Sequence, residues 1–203
     1  MPDAGTSPAL RTVRLVLWVL VAVAAIAATA IYFTRPFERS SGMFGGPFEM
    51  ASTQGGTFTQ DDLAGTPSLM FFGYTFCPDV CPLTLAQAEA WKEELGLGAD
   101  DLRVIFVTVD PERDTLEQVT AYLANFGDDV IGLVGTEAQT DQIKRSYGVF
   151  SEKVGEDEDP ETYLVNHTAS IYLIDAAGRF TGTIAYEEDR GTALDKIRRL
   201  VSS

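Results

Sequence analysis

Residues 68–85 constrain the fold more than any other stretch of the chain. Leu69-Met70-Phe71-Phe72 is an uninterrupted apolar run between Pro67 and Gly73. A short run of that kind, closed by Pro and Gly, predicts a strand buried on both faces over Ser68–Gly73. Leu83, Leu85, Ala86, Ala90, Trp91 and Leu95 then recur at helical spacing. Pro82 suits the first helical position, and Gly96 and Gly98 end the element. Between strand and helix lie Cys77 and Cys81, the only cysteines in the chain. Both thiols therefore sit on the turn where a strand hands over to a helix, the usual place for chemistry in an open α/β sheet.

The remaining segments extend this pattern. A second buried strand is expected at Leu102–Val109. It ends in Asp110-Pro111-Glu112-Arg113-Asp114, and Asp114 with Glu117 reads as a helix cap and its capping-box partner. Helices are expected over Thr115–Phe126, over Glu137–Tyr147 capped by Thr136, and over Thr192–Leu200. Further strands are expected at Val130–Val134, Ala169–Ile174 and Phe180–Tyr186. Phe48–Ala51 and Thr57–Thr59, around Gly55-Gly56, predict an early β-hairpin. Residues 150–161 are acid-rich and read as a solvated loop. The alternation makes this an α/β chain of thioredoxin-like arrangement, a central mixed sheet flanked by helices with an N-terminal hairpin extension.

The chain begins differently. Residues 1–14 are a polar tail, and Leu15–Phe33 runs without a charge. At about 1.5 Å per residue that run spans roughly 28 Å, close to a hydrocarbon core. Trp18 and Tyr32 fit interfacial anchoring. A cleaved signal peptide ending near Ala28-Thr29-Ala30 competes with this reading. The run continues through Ile31-Tyr32-Phe33, which favours a single uncleaved transmembrane helix. Residues 34–47 are then a Pro-, Gly- and Ser-rich linker, and 48–203 form the folded domain. No Arg- and Ser-rich transit peptide is present. The simplest placement is a bacterial inner membrane, with a cytoplasmic N-terminus and the domain in the periplasm. Net charge is −15, and residues 1–40 carry more arginines than acids. The acidity thus belongs to the domain and argues against nucleic acid. It fits a soluble domain, with attraction for cations or a basic partner as the weaker reading.

Cys77-x-x-x-Cys81 is one residue longer than the common redox pair. Four positions apart on a helical turn puts Cβ atoms about 5–6 Å apart, close enough for a disulfide after slight relaxation or for chelation when reduced. Pro78 and Pro82 bias the cysteines before them away from helical backbone. A helix N-terminus lowers thiol pKa, and the thiolate is both nucleophile and metal ligand. His167 is the only histidine. A lone histidine is more often structural than ligating. Its place on the chain entering Ala169–Ile174 points to a metal, because that strand abuts the first cysteine turn in a thioredoxin-like sheet. The late proline of thioredoxins is missing, since no proline follows Pro160. Thiolates with imidazole suit Cu(I), Cu(II) or Zn(II). Structural zinc wants four protein ligands, so three favour a transferable copper.

Three stretches together make the chain resemble the Sco/SenC family of copper-binding assembly proteins. They are Gly73-Tyr74-Thr75-Phe76-Cys77-Pro78-Asp79-Val80-Cys81-Pro82, Val109-Asp110-Pro111-Glu112-Arg113-Asp114-Thr115 and Asn166-His167-Thr168. The resemblance covers about Phe48 to the C-terminus, with the family's usual single anchor before it. It implies copper bound by Cys77, Cys81 and His167. It also implies delivery to the binuclear CuA site of cytochrome c oxidase, or reduction of that site's cysteines before loading. The expected partners are the CuA-bearing subunit, another periplasmic copper carrier and a thiol reductant. The acidic insert before His167 is not carried over.

A metallochaperone is therefore expected rather than an enzyme. A thiol-disulfide oxidoreductase using Cys77 and Cys81 catalytically, and a redox or copper sensor, are the alternatives. Asp110 and Asp114 read first as turn and cap residues, with orientation of the metal site or partner docking as the second reading. Phe71 and Phe72 belong to the core, while Tyr74 and Phe76 are placed to shield the site.

Overall fold

The structure is a computed structural model, which describes residues 13–15, 17–23, 44–155 and 162–202. It divides into two units, Met1–Ser40 and Ser41–Ser203. In the first, residues 13–15 and 17–23 are helical and leave Val13, Leu15, Trp18 and Leu20 more than half exposed. Among the described residues no helix is long and apolar enough to cross a membrane. Much of the expected span Leu15–Phe33, residues 1–12 of the tail, and most of the linker lie outside them.

The second unit carries a seven-stranded mixed sheet. Its strands are β1 (Glu49–Ser52), β2 (Thr57–Thr59), β3 (Ser68–Gly73), β4 (Arg103–Thr108), β5 (Ile131–Val134), β8 (Ile171–Ile174) and β9 (Phe180–Ile184), in the order β2-β1-β5-β4-β3-β8-β9. Strands β3, β4 and β5 are parallel, and β8 and β9 add antiparallel partners beyond β3. The early hairpin joins the far edge through β5. The helices are α1 (Val80–Leu95), α2 (Leu116–Leu123), α3 (Glu137–Tyr147) and α4 (Arg190–Val201). The thioredoxin-like α/β reading with a hairpin extension therefore holds for this unit.

Strand β3 matches its predicted bounds, and all six of its residues are buried. Its neighbours β4 and β8 satisfy both backbone edges. Leu69, Met70, Phe71 and Phe72 fill the core on its two faces, each contributing about 1.5–3 kcal/mol. Helix α1 buries Cys81, Thr84, Leu85, Ala88 and Trp91 along one stripe and ends at Gly96, whose φ of 66° is the left-handed cap that glycine adopts freely.

Three expectations are corrected. Helix α1 starts at Val80, so Pro82 is its third residue, and Cys81 is helical despite the proline after it. Proline is tolerated there because N–H groups of the first turn have no partner within the helix. The cap of α2 is Thr115, paired in a capping box with Gln118 rather than Asp114 with Glu117. The Asp114 side chain is drawn inward to other donors. Within the acidic stretch, β6 (Ser151–Val154) pairs antiparallel with β7 (Leu164–His167) as a separate two-stranded sheet. The solvated-loop reading therefore fails for 151–154. Residues 156–161 lie outside the described residues.

Candidate metal centre

Register explains why the distant His167 meets the two cysteines. Phe71 of β3 pairs with Ile171, at the start of antiparallel β8. The chain that precedes Ile171 therefore arrives at the carboxyl end of β3, where the cysteine turn begins. His167, the last residue of β7, is delivered there. The Sγ atoms of Cys77 and Cys81 and a ring nitrogen of His167 all lie within 4.8 Å of one another. They form the one group of three or more His, Cys, Asp or Glu ligands found among the described residues. Cys81 Sγ is 3.4 Å from His167 Nε2. Cys81 is fully buried, whereas Cys77 and His167 are half-buried, so the group opens to solvent on one side.

The first turn of α1 is completed in an unusual way. Asp79, at the cap position, makes no side-chain cap bond. Instead the Cys81 N–H donates to Cys77 Sγ at 3.3 Å. A sulfur carrying negative charge is favoured there by the unpaired N–H groups and the helix dipole. Both cysteines are free thiols. The Cys77 thiol is held low, at about 4, chiefly by its bond with Cys81; burial opposes this, and His167 and the backbone N–H groups of Asp79 and Cys81 assist. Cys81 is pushed up by the same shared bond and by burial. In effect one proton is shared by a coupled pair, with the charge on the outer sulfur.

This asymmetry predicts reactivity. Cys77 should be alkylated by iodoacetamide at a rate nearly flat from pH 6 to 8, while an ordinary thiol gains about tenfold per pH unit below its pKa of about 8.5. Cys81 should react at least tenfold more slowly. Peptide mapping by mass spectrometry after timed quenching reads both rates. A Cys77 rate that climbs tenfold per unit would contradict the assigned charge.

The histidine is oriented from behind. Its Nδ1 lies 3.1 Å from the Thr168 carbonyl. With the proton on Nδ1, that carbonyl accepts it and leaves the Nε2 lone pair for a metal; the bond that lowers Cys77 needs a proton on the ring nitrogen facing the sulfurs. Tyr74 and Phe71 meet the ring at centroid distances of 5.8 and 5.9 Å, both at steep angles. Tyr74 is buried, and its hydroxyl is pushed up mainly by that burial, so it stays neutral beside the thiols. Gly73 matters sterically. A Cβ there would lie 2.8–3.0 Å from Phe71, Phe106 and Cys81 Sγ, closer than real contacts allow.

Asp110 and Asp114 are both buried but touch neither sulfur nor imidazole in the hydrogen bonds of this region. Asp114 accepts from the Thr75 N–H at 3.1 Å, from the Thr75 hydroxyl, and from the Thr108 hydroxyl at 2.6 Å. It ties the cysteine turn to the end of β4, and burial raises its carboxyl while these bonds lower it. Asp110 accepts from Arg113 Nε at 2.6 Å and from the Tyr163 hydroxyl at 2.7 Å. Asp114 is thus not the helix cap, and Asp110 stays in its turn while reaching the segment before β7. Phe76 is half exposed and lies against Arg113. Sequence reasoning quoted Arg113 within a motif but gave it no role, and it overlooked Tyr163, which nothing in its neighbours distinguishes.

The donor set fits a soft, thiophilic ion better than a hard one, and three protein ligands fall short of a structural zinc site. Comparison with known proteins places the chain. The family model described as SCO1/SenC matches residues 37–202, which include Cys77, Cys81 and His167. A SCO2-like protein of Rickettsia prowazekii is 40% identical over 136 residues, covering 67% of this chain and 66% of that protein. The human mitochondrial SCO1 homolog is 36% identical over 151 residues, covering 73% of this chain and 50% of the relative. The chain thus spans from half to about two thirds of these relatives' lengths. Among solved structures, Bradyrhizobium japonicum ScoI with copper bound is 39% identical with a TM-score of 0.69, covering 77% of this chain and 99% of that one. Yeast Sco1 with copper bound is 32% identical with a TM-score of 0.70, covering 79% and 89%. With the matched region running through the cysteine turn, the aspartate loop and the histidine hairpin, this chain belongs to the SCO1/SenC family.

Proposed function

We propose that this chain is a copper metallochaperone, in which Cys77, Cys81 and His167 hold one copper ion as cargo. The observation that carries the reading is the convergence of two sulfurs and one imidazole nitrogen within 4.8 Å, in a fold shared with relatives described as copper-bound. Thiolates and imidazole together suit Cu(I) and Cu(II). Cys77 and His167 leave the group open on one side, which suits transfer more than permanent storage. The recipient proposed is the CuA-bearing subunit of cytochrome c oxidase, with a periplasmic copper carrier and a thiol reductant upstream. The apolar run Leu15–Phe33 supports an uncleaved anchor in a bacterial inner membrane, with Ser41–Ser203 on the periplasmic side. The exposed apolar side chains among residues 13–15 and 17–23 fit that placement.

One observation favours a second activity on the same turn. A low-pKa outer thiol backed by a protonated buried one is the arrangement of an attacking and a resolving cysteine. The same residues suit reduction of a recipient's disulfide before copper is delivered, and Cys77 would be the attacking sulfur.

Copper titration of the purified chain in its two redox states tests the carrier reading. The reduced protein is expected to take up one copper per chain. The Cys77–Cys81 disulfide form is expected to take up none, since it has no thiolate to offer. Equal uptake by both forms would remove the cysteines from the site.

A further inference from the structure

The hairpin β6–β7 carries His167 but shares no ladder with the seven-stranded sheet. Something other than sheet pairing must set where the imidazole points. The loop after β4 supplies it. Asp110 is buried and uses both carboxylate oxygens, one for Arg113 Nε at 2.6 Å and the other for the Tyr163 hydroxyl at 2.7 Å. Arg113 Nη1 donates to the Tyr163 backbone carbonyl at 2.9 Å. The guanidinium lies 3.5 Å over the Tyr163 ring and 4.7 Å from the Phe76 ring centroid. Tyr163 is buried and immediately precedes β7. A second tie joins the same segments, with Lys153 of β6 donating to Glu112 at 2.7 Å and lying 4.8 Å from the Tyr163 ring.

We propose that Asp110, Arg113 and Tyr163 are positioning residues that clamp the hairpin and hold His167 within reach of the two cysteines. The inference rests on the copper-carrier reading for its consequence, but its structural content stands apart from it. A planar fork is needed, since Arg113 must bond Asp110 and a carbonyl while stacking on a ring. A lysine in its place keeps the charge and loses that geometry. Through Phe76, one residue before Cys77, the same guanidinium also touches the cysteine turn. The clamp thus spans both halves of the site.

The test compares wild type with Arg113→Lys and with Tyr163→Phe, which retains the ring and removes only the bond to Asp110. In the metal-free protein, hydrogen exchange at residues 164–167 is expected to quicken by about tenfold in Arg113→Lys and less in Tyr163→Phe. Exchange in β3 and β4 should be unchanged. With copper(II) added, the imidazole-nitrogen signature in the electron paramagnetic resonance spectrum should weaken. Copper affinity should fall by roughly 10–100-fold, the range for losing an orienting partner at a metal site. Unchanged hairpin exchange in both variants would overturn the clamp. Faster exchange with an unaltered nitrogen signature and affinity would overturn its role in placing His167. If wild type takes up no copper, the carrier reading falls, and exchange alone decides the clamp. If Arg113→Lys does not fold, Tyr163→Phe decides.

Discussion

Replacing His167 with alanine should lower copper affinity by more than the roughly 10–100-fold that removal of an orienting partner costs a metal site. The reason is stoichiometric. The site has three protein donors in reach of one another, and the variant removes the only nitrogen. Two sulfurs alone remain, and a two-sulfur site loses its imidazole signature. The fold should be nearly unaffected. His167 is half-buried, its ring nitrogen lies against the carbonyl of its neighbour Thr168, and it sits at the end of a strand outside the main sheet. Isothermal competition with a copper chelator of known affinity gives the first number, and a thermal melt gives the second. Unchanged affinity would leave a two-cysteine site and favour the oxidoreductase reading. A large loss of stability would instead make His167 a structural residue.

Asp114→Ala should destabilise the domain, because its carboxylate holds the cysteine turn against the end of β4. Its carboxylate is fully buried and serves the Thr75 N–H, the Thr75 hydroxyl and the Thr108 hydroxyl. A buried donor left without an acceptor costs about 1–3 kcal/mol. The two hydroxyls can rotate toward other acceptors, but the Thr75 N–H cannot. The expected total is about 2–4 kcal/mol. In a domain of this size each kcal/mol shifts the melting temperature by roughly 2–4 °C. Asp114→Asn keeps an acceptor oxygen and should lose less. A melt within one degree of wild type for Asp114→Ala would show that its bonds to Thr75 and Thr108 do not support the fold.

What could be read from the sequence depended on how distinctive each residue is. Strand β3 is legible because four apolar residues lie between Pro67 and Gly73, and nothing else explains them. The candidate ligands are legible because cysteine and histidine are rare here and chemically unlike their neighbours. Strand β6 was hidden, since Ser151-Glu152-Lys153-Val154 shows no apolar face. It pairs with β7 and buries little of itself, so periodicity carries no signal. The start of α1 was hidden for another reason. A local rule about the residue before proline pointed one way, while a sulfur four residues back completing the first turn pointed the other, and the sulfur contact prevailed. The aspartates were ambiguous because a strand-end Asp reads the same whether it caps a helix or braces a loop across the fold. Only the partners separate the two.

Because β6–β7 stands outside the main sheet and is held to it by side-chain contacts, a cargo held between Cys81 and His167 would add a further stitch between hairpin and sheet. Binding that favours the closed form stabilises it by about 2.7 kcal/mol when free ligand is a hundred times the dissociation constant, which makes the opened form roughly a hundredfold rarer. Proteases cut what opens. A carrier that has delivered its ion would therefore be trimmed sooner than one still loaded. The lifetime of the protein would then record whether it is carrying anything.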